Sequence, residues 1–83
     1  MISVDILSPQ WSRHIDVQAI FLPGAEGEFE VLNNHAPIIS LLSSGKIRWR
    51  KAEGSGIPTE ESLEIKGGVV RLKENRMQIC IEA

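Results

Sequence analysis

The 83-residue chain is predicted to be all-β, a run of short strands closing into a sandwich or barrel. Three observations lead there. Apolar residues recur at period two along most of the chain, as they do on the buried face of a strand. No window of about eleven residues carries the apolar stripe of a helix. Clusters of Gly, Pro, Asn and Ser separate the apolar runs at regular intervals.

Taken in order, Ile2, Val4 and Ile6 alternate up to a Ser8-Pro9 turn, and Ile15, Val17, Ala19 and Phe21 alternate from there to Pro23-Gly24. Pro23-Gly24 reads as a type II turn, since Pro presets φ at the first central position and Gly accepts the positive φ of the next. Phe29 to Leu32 is a short strand closed by Asn33-Asn34, both of which tolerate the left-handed region. Ile38 to Leu42 is a strand too uniformly apolar to face water on either side. Ile47 and Trp49 mark a strand whose other side, Lys46, Arg48, Arg50 and Lys51, is solvated, and Trp49 belongs to the core. Trp11 follows Pro9 in the turn and belongs at an edge or under a partner. Ala52 to Ser62, with Gly54, Gly56 and Pro58 among acidic residues, reads as a mobile polar loop. Leu63 and Ile65, then Val70 and Leu72, then Met77, Ile79 and Ile81 complete the pattern, with Glu74-Asn75-Arg76 as a tight turn. A chain of this length is one domain, residues 1–83.

The net charge of −2 argues against a nucleic-acid binder, which needs a basic stripe to displace counterions. Asp5 and the polar run Ser8 to Ser12 interrupt any signal-peptide core, and no apolar run reaches the length of a membrane span. The expected location is cytosolic unless a partner carries the chain to a membrane. The single cysteine, Cys80, lies between Ile79 and Ile81 and reads as an inert packing thiol in a reducing compartment.

The densest local signal is Leu22 to Pro37. Glu26, Glu28 and Glu30 recur at period two, so an extended backbone puts them on one side and Gly27, Phe29 and Val31 on the other. Such carboxylates, about 7 Å apart, together with His35 are groups that general acid–base chemistry uses. No nucleophile, metal shell or phosphate loop accompanies them, so no catalytic, cofactor-binding or metal-ligating residue is assigned. A lone His before Ala36-Pro37 fits a packed turn residue donating to a carbonyl.

The same stretch, G-A-E-G-E-F-E-V-L followed by N-N-H-A-P, strongly resembles the amino-terminal domain of the epsilon subunit of bacterial F-type ATP synthases. The resemblance continues through Ile38 to Leu42, Ser43-Ser44-Gly45, Ile47 to Arg50 and Lys66-Gly67-Gly68-Val69-Val70, covering nearly the whole chain in order. Departures are local: Glu30 and Asn33-Asn34 stand where Gly and Pro-Gly are common, Ser43-Ser44-Gly45 replaces Lys-Pro-Gly, and Lys66 replaces Ser. The resemblance implies a flattened β-sandwich of two mixed sheets and a non-catalytic rotor subunit that couples the gamma shaft to the proton-conducting c-ring. It implies that Glu28, with Glu26, Glu30 and His35 beside it, meets the polar loops of the ring. Gamma would cover one face of the sandwich, with Ile38, Ile39, Leu41 and Leu42 nominated for a strand covered on both sides. The chain would then sit peripherally on the cytoplasmic face of the bacterial inner membrane, and would self-associate weakly when isolated. The strand pattern runs to the end of the sequence at Ala83, so a short form without the family's carboxyl-terminal helical hairpin is expected. The competing reading, from the residues alone, is a free-standing β-sandwich module for a small polar ligand or carbohydrate.

Overall fold

The computed structural model describes residues 1–51 and 59–82, and these form eight strands. They are β1 (Ile2–Leu7), β2 (Ser12–Gly24), β3 (Gly27–Leu32), β4 (Ile38–Leu42), β5 (Gly45–Lys51), β6 (Glu60–Ile65), β7 (Gly67–Lys73) and β8 (Arg76–Glu82). Hydrogen bonding runs without a break in the order β1-β8-β7-β4-β2-β5-β6, with β3 and β1 also paired to β2. β2 makes this possible. Its first half pairs with β1, its second half lies between β3 and β5, and Gly24 at its end meets Leu42 of β4. The sheet therefore folds back on itself into two layers, β1-β8-β7-β4 and β3-β2-β5-β6, which is the all-β sandwich expected. Within it β1 and β8 are parallel and the other pairs antiparallel, so the sheet is mixed. The molecule is flattened, with extents of 33 × 26 × 21 Å.

Alternation selects the core. Ile2, Val4, Ile6, Val70, Leu72, Met77, Ile79 and Ile81 point inward from one layer, and Ile20, Leu22, Val31, Ile47 and Trp49 from the other. Trp49 closes one end of this core under a charged lid: the Arg13 guanidinium lies 5.4 Å from its ring centre, and Glu61, its cross-strand partner, binds Arg13 at 3.1 Å and Lys51 at 3.3 Å. The Lys51 contact is the main reason the Glu61 carboxyl is held below its ordinary pKa, with Arg13 adding to it. Among the described residues the Trp49 indole N–H makes no well-formed hydrogen bond.

Several local expectations are corrected. Pro23 and Gly24 extend β2, and the turn is made two residues later by Ala25 and Glu26, with Gly24 and Gly27 as the closing pair. Gly27 at φ +130° supplies the conformation that an L side chain resists. The alternation of β2 changes phase at a bulge between Val17 and Ala19. Ile15 and Val17 face the core, then Ile20 and Leu22 do, so Phe21 turns to the outer face. In β4 only one side is covered: Ile38 and Leu42 face the core, while Ile39 and Leu41 are 77% and 65% exposed. Cys80 points outward, because Ile79 and Ile81 take the core positions of β8. Of the expected loop Ala52–Ser62, residues 52–58 lie outside the described residues and Glu60–Ser62 belong to β6.

Candidate functional site

The acidic turn is the tip of the β2–β3 hairpin, and the backbone of β4 holds it from behind. The Ala25 N–H donates to the Leu41 carbonyl at 3.0 Å, and the Ser43 N–H to the Pro23 carbonyl at 2.8 Å. A two-residue loop on its own would fray; these bonds fix it to the end of β4. Glu26 sits in the loop and Glu28 and Glu30 on the outer side of β3, all three exposed.

Glu28 and Glu30 are not bare carboxylates. Arg48 on β5 reaches across β2 to Glu28, Nη2 to Oε1 3.2 Å, and Arg50 approaches Glu30 at 3.6 Å. The outward-facing Phe21 lies beneath both, its ring centre 4.6 Å from the Arg48 guanidinium carbon and 5.8 Å from that of Arg50. Arg48 also comes within 3.7 Å of Glu60 on β6. Three strands, β3, β5 and β6, thus carry one comb of alternating charge over an aromatic floor on β2. Among the described residues Glu26 makes no ion pair, and it is the free carboxylate of the tip.

His35 lies at the other end of β3, some five residue rises of about 3.3 Å from Gly27. Its Nδ1–H donates to its neighbour's carbonyl on Ala36 at 2.7 Å, the packed-turn role that the sequence suggests, and its backbone N–H bonds the Leu32 carbonyl. There it accompanies Asn34, at φ 65°, whose N–H and side chain are bonded by the Asn75 amide at 2.7 and 3.0 Å. The four residues proposed for one contact are therefore divided: Glu26, Glu28 and Glu30 share the tip, and His35 does not.

The second feature is apolar. Leu7, Cys80, Val69 and Leu41 are successive partners across β1, β8, β7 and β4 and form a row on the outer face of that layer. Leu41 is the member nearest the acidic tip, bonded to it through its carbonyl, and Ile39 lies next along β4. Ile38 and Leu42 fill the core beneath. The sequence reading nominated β4 but missed Val69 and Phe21. Strand order put Val69 beside Leu41, and the bulge turned Phe21 outward.

Further along the same face lies a groove of about 860 Å³ lined by Ser3, Asp5, His14, Ile39, Arg71 and Arg76 among others, with no Trp, Phe or Tyr in its lining. His14 is bonded by Asp5 at 2.7 Å and Asp16 at 3.2 Å. The Asp5 bond chiefly raises its pKa above the ordinary histidine value. Sugar-binding clefts stack their ligands on aromatic rings, which this groove does not offer. Among the described residues no group of three or more His, Cys, Asp or Glu could hold a metal ion.

Comparison with known proteins gives the chain its relatives. The family model described as ATP synthase, Delta/Epsilon chain, beta-sandwich domain matches residues 1–83. An ATP synthase epsilon chain of Sulfurovum sp. is 40% identical over 67 residues, 81% of this chain but 49% of that one, so the chain spans about half the length of that relative. The epsilon chain of Chlorobium limicola is 31% identical over 80 residues, 95% of this chain and 86% of the relative. In a Tetrahymena thermophila mitochondrial ATP synthase central stalk/c-ring structure, one chain superposes with a TM-score of 0.79 at 16% identity, covering 99% of this chain and 63% of that one. The likeness at that identity speaks for the fold, and the sequence matches for the lineage: this chain belongs to the delta/epsilon-chain β-sandwich family of ATP synthases.

Proposed function

We propose that the chain is an epsilon-type, non-catalytic subunit of the rotor of a proton-translocating F-type ATP synthase. Two surfaces serve two partners. The acidic hairpin tip, Glu26, Glu28 and Glu30, meets polar loops of the membrane c-ring, and the outer face of β4 meets the gamma subunit through Ile39 and Leu41, with Val69 alongside. Ile38 and Leu42 support that face from the core, and His35, at the far end of β3, meets a different part of the partner surface. The observation that carries the reading is the junction of the two surfaces: one hairpin tip, hydrogen-bonded to Leu41, joins a free carboxylate to an exposed apolar row. A rotor element under repeated load needs a broad apolar interface for permanence and a charged one for register, and the nearness of the acidic tip to the apolar row at one end of β4 supports the reading. The chain is then peripheral to the membrane, held on its cytoplasmic side by the complex.

The test is reconstitution. Glu28→Ala is expected to leave the melting behaviour of the isolated chain within about 0.5 kcal/mol of wild type, as exposed substitutions do. It should weaken attachment to a synthase stripped of this subunit by about 1–3 kcal/mol if the carboxylate pairs with a basic ring loop. Co-purification with gamma checks the second surface. Wild-type attachment by Glu28→Ala removes Glu28 from the contact, and failure to retain gamma removes the rotor reading.

A further inference from the structure

We propose that Arg48 is a positioning residue for Glu28: it is the clamp that aims the acidic tip, and the contact it serves is the ring contact just proposed. Glu28 is on β3 and Arg48 on β5, with β2 between them, so the two side chains bridge about 10 Å of sheet. A long side chain spanning that distance over open sheet would sample many rotamers. Phe21 removes that freedom. Its ring lies under the guanidinium, and Phe21 is opposite both Glu30 and Arg48 in the strand register, so the floor sits where the bridge must cross. Glu60 on the far side completes the clamp, leaving Arg48 held from below and from two sides.

The consequence for Glu28 concerns its two oxygens. Oε1 accepts from Arg48, and among the described residues Oε2 makes no ion pair or hydrogen bond, which leaves it open to a partner while Oε1 is held. A partner that supplies one basic group or a single N–H or O–H donor meets a pre-aimed acceptor and forgoes the cost of ordering it. Arg48→Lys would not do the same, since a point charge neither spreads over the Phe21 ring nor reaches two carboxylates with separate nitrogens.

Two measurements on the full chain test this. In ¹⁵N-labelled protein, rotation of the Arg48 guanidinium should be slow compared with that of Arg71, which makes no ion pair among the described residues, and Glu28→Gln or Phe21→Leu should release it. Equal rotation rates for Arg48 and Arg71 in the wild type overturn the proposal whatever the complex does. In reattachment to the stripped synthase, Arg48→Ala and Arg48→Lys should each weaken binding, Arg48→Ala on the order of tenfold, and Arg48→Ala should add nothing in the Glu28→Gln background. An additive double variant, a normal Arg48→Ala, or one that binds more tightly overturns the positioning role and leaves the ring contact standing. A slow Arg48 guanidinium together with a Glu28→Gln chain that reattaches like wild type overturns the ring contact itself, and the positioning role with it.

Discussion

Leu41 and Leu42 are neighbours in sequence, alike in chemistry and opposite in fate, so truncating each in turn separates the core of this protein from its contact surface. Leu42 is 6% exposed and packs in the core; Leu41 is 65% exposed on the outer face of β4. Leu42→Ala is expected to cost about 2–5 kcal/mol, the range for a buried leucine whose site cannot fully collapse. In a domain of this size that lowers the melting temperature by roughly 10 °C or more. Leu41→Ala removes a side chain that touches mostly water, and its cost in the isolated chain should stay within about 0.5 kcal/mol. Its effect belongs to the complex. Full burial of a leucine contributes about 1.5–3 kcal/mol, and the exposed share of Leu41 leaves about 1–2 kcal/mol of that for a partner to realise. The expected loss is about 5- to 30-fold in affinity for gamma. Thermal melts of both variants, with a gamma-binding titration of Leu41→Ala, decide it. If Leu41→Ala melts as low as Leu42→Ala, or Leu42→Ala melts with wild type, the assignment of faces is wrong. A stable Leu41→Ala with unchanged gamma affinity refutes only the contact.

Three further outcomes are expected. A Cβ added at Gly68 would collide with the Cys80 carbonyl of the neighbouring strand, so Gly68→Ala should cost about 1–3 kcal/mol by overpacking, read as a lowered denaturant midpoint. A midpoint equal to wild type would show that β7 and β8 separate freely. His14 binds its proton more tightly folded than unfolded, so its stabilising effect is complete below the ordinary value of 6.5 and is lost as pH rises through the folded value. Glu61 behaves oppositely, stabilising above 4.5 and losing that effect as pH falls through its lowered folded value. The melting temperature should therefore be highest between these values, and His14→Gln should flatten the alkaline limb alone. Finally, the isolated chain should self-associate weakly through the Ile39–Leu41 face, and sedimentation at high concentration should show the association abolished in Leu41→Lys. A monomer at every concentration would count against that face as an interface.

Much of this architecture was legible because strand burial has a period of two. Ile2, Val4 and Ile6, and Met77, Ile79 and Ile81, declare their faces by alternation, and Glu74-Asn75, at φ 52° and 60°, turns as its residue types suggest. The failures come from events that break or cross the period. One inserted residue at the bulge near Val17 reverses the phase of β2, and nothing in the local residues marks it. Pro23-Gly24 carries a strong turn signal, yet the hydrogen bonds that β4 offers at Pro23 and Ala25 favour strand there and move the turn to Ala25-Glu26. Cys80 is different, since alternation with Ile79 and Ile81 already pointed it outward. For the site, the acidic tip was readable as exposed, but its pairing with Arg48 was not. That pairing depends on β3 and β5 flanking β2, a neighbourhood that strand order creates and sequence distance conceals.

The parallel pairing of β1 with β8 has a consequence for how the chain reaches this state. Val4 aligns with Met77 and Ile6 with Ile79, so the layer closes only when segments from opposite ends of the sequence meet. Closing so long a loop costs entropy before any contact repays it, and folding rates fall as such distant contacts come to dominate. During synthesis β1 must wait with one edge open until β8 has left the ribosome. Because the first half of β2 is the other partner of β1, the unfinished layer stays hinged to the finished one meanwhile. The molecule should fold slowly for its size and in one cooperative step, and a nascent chain stalled before β8 would present the free edges of β1 and β7 to other chains.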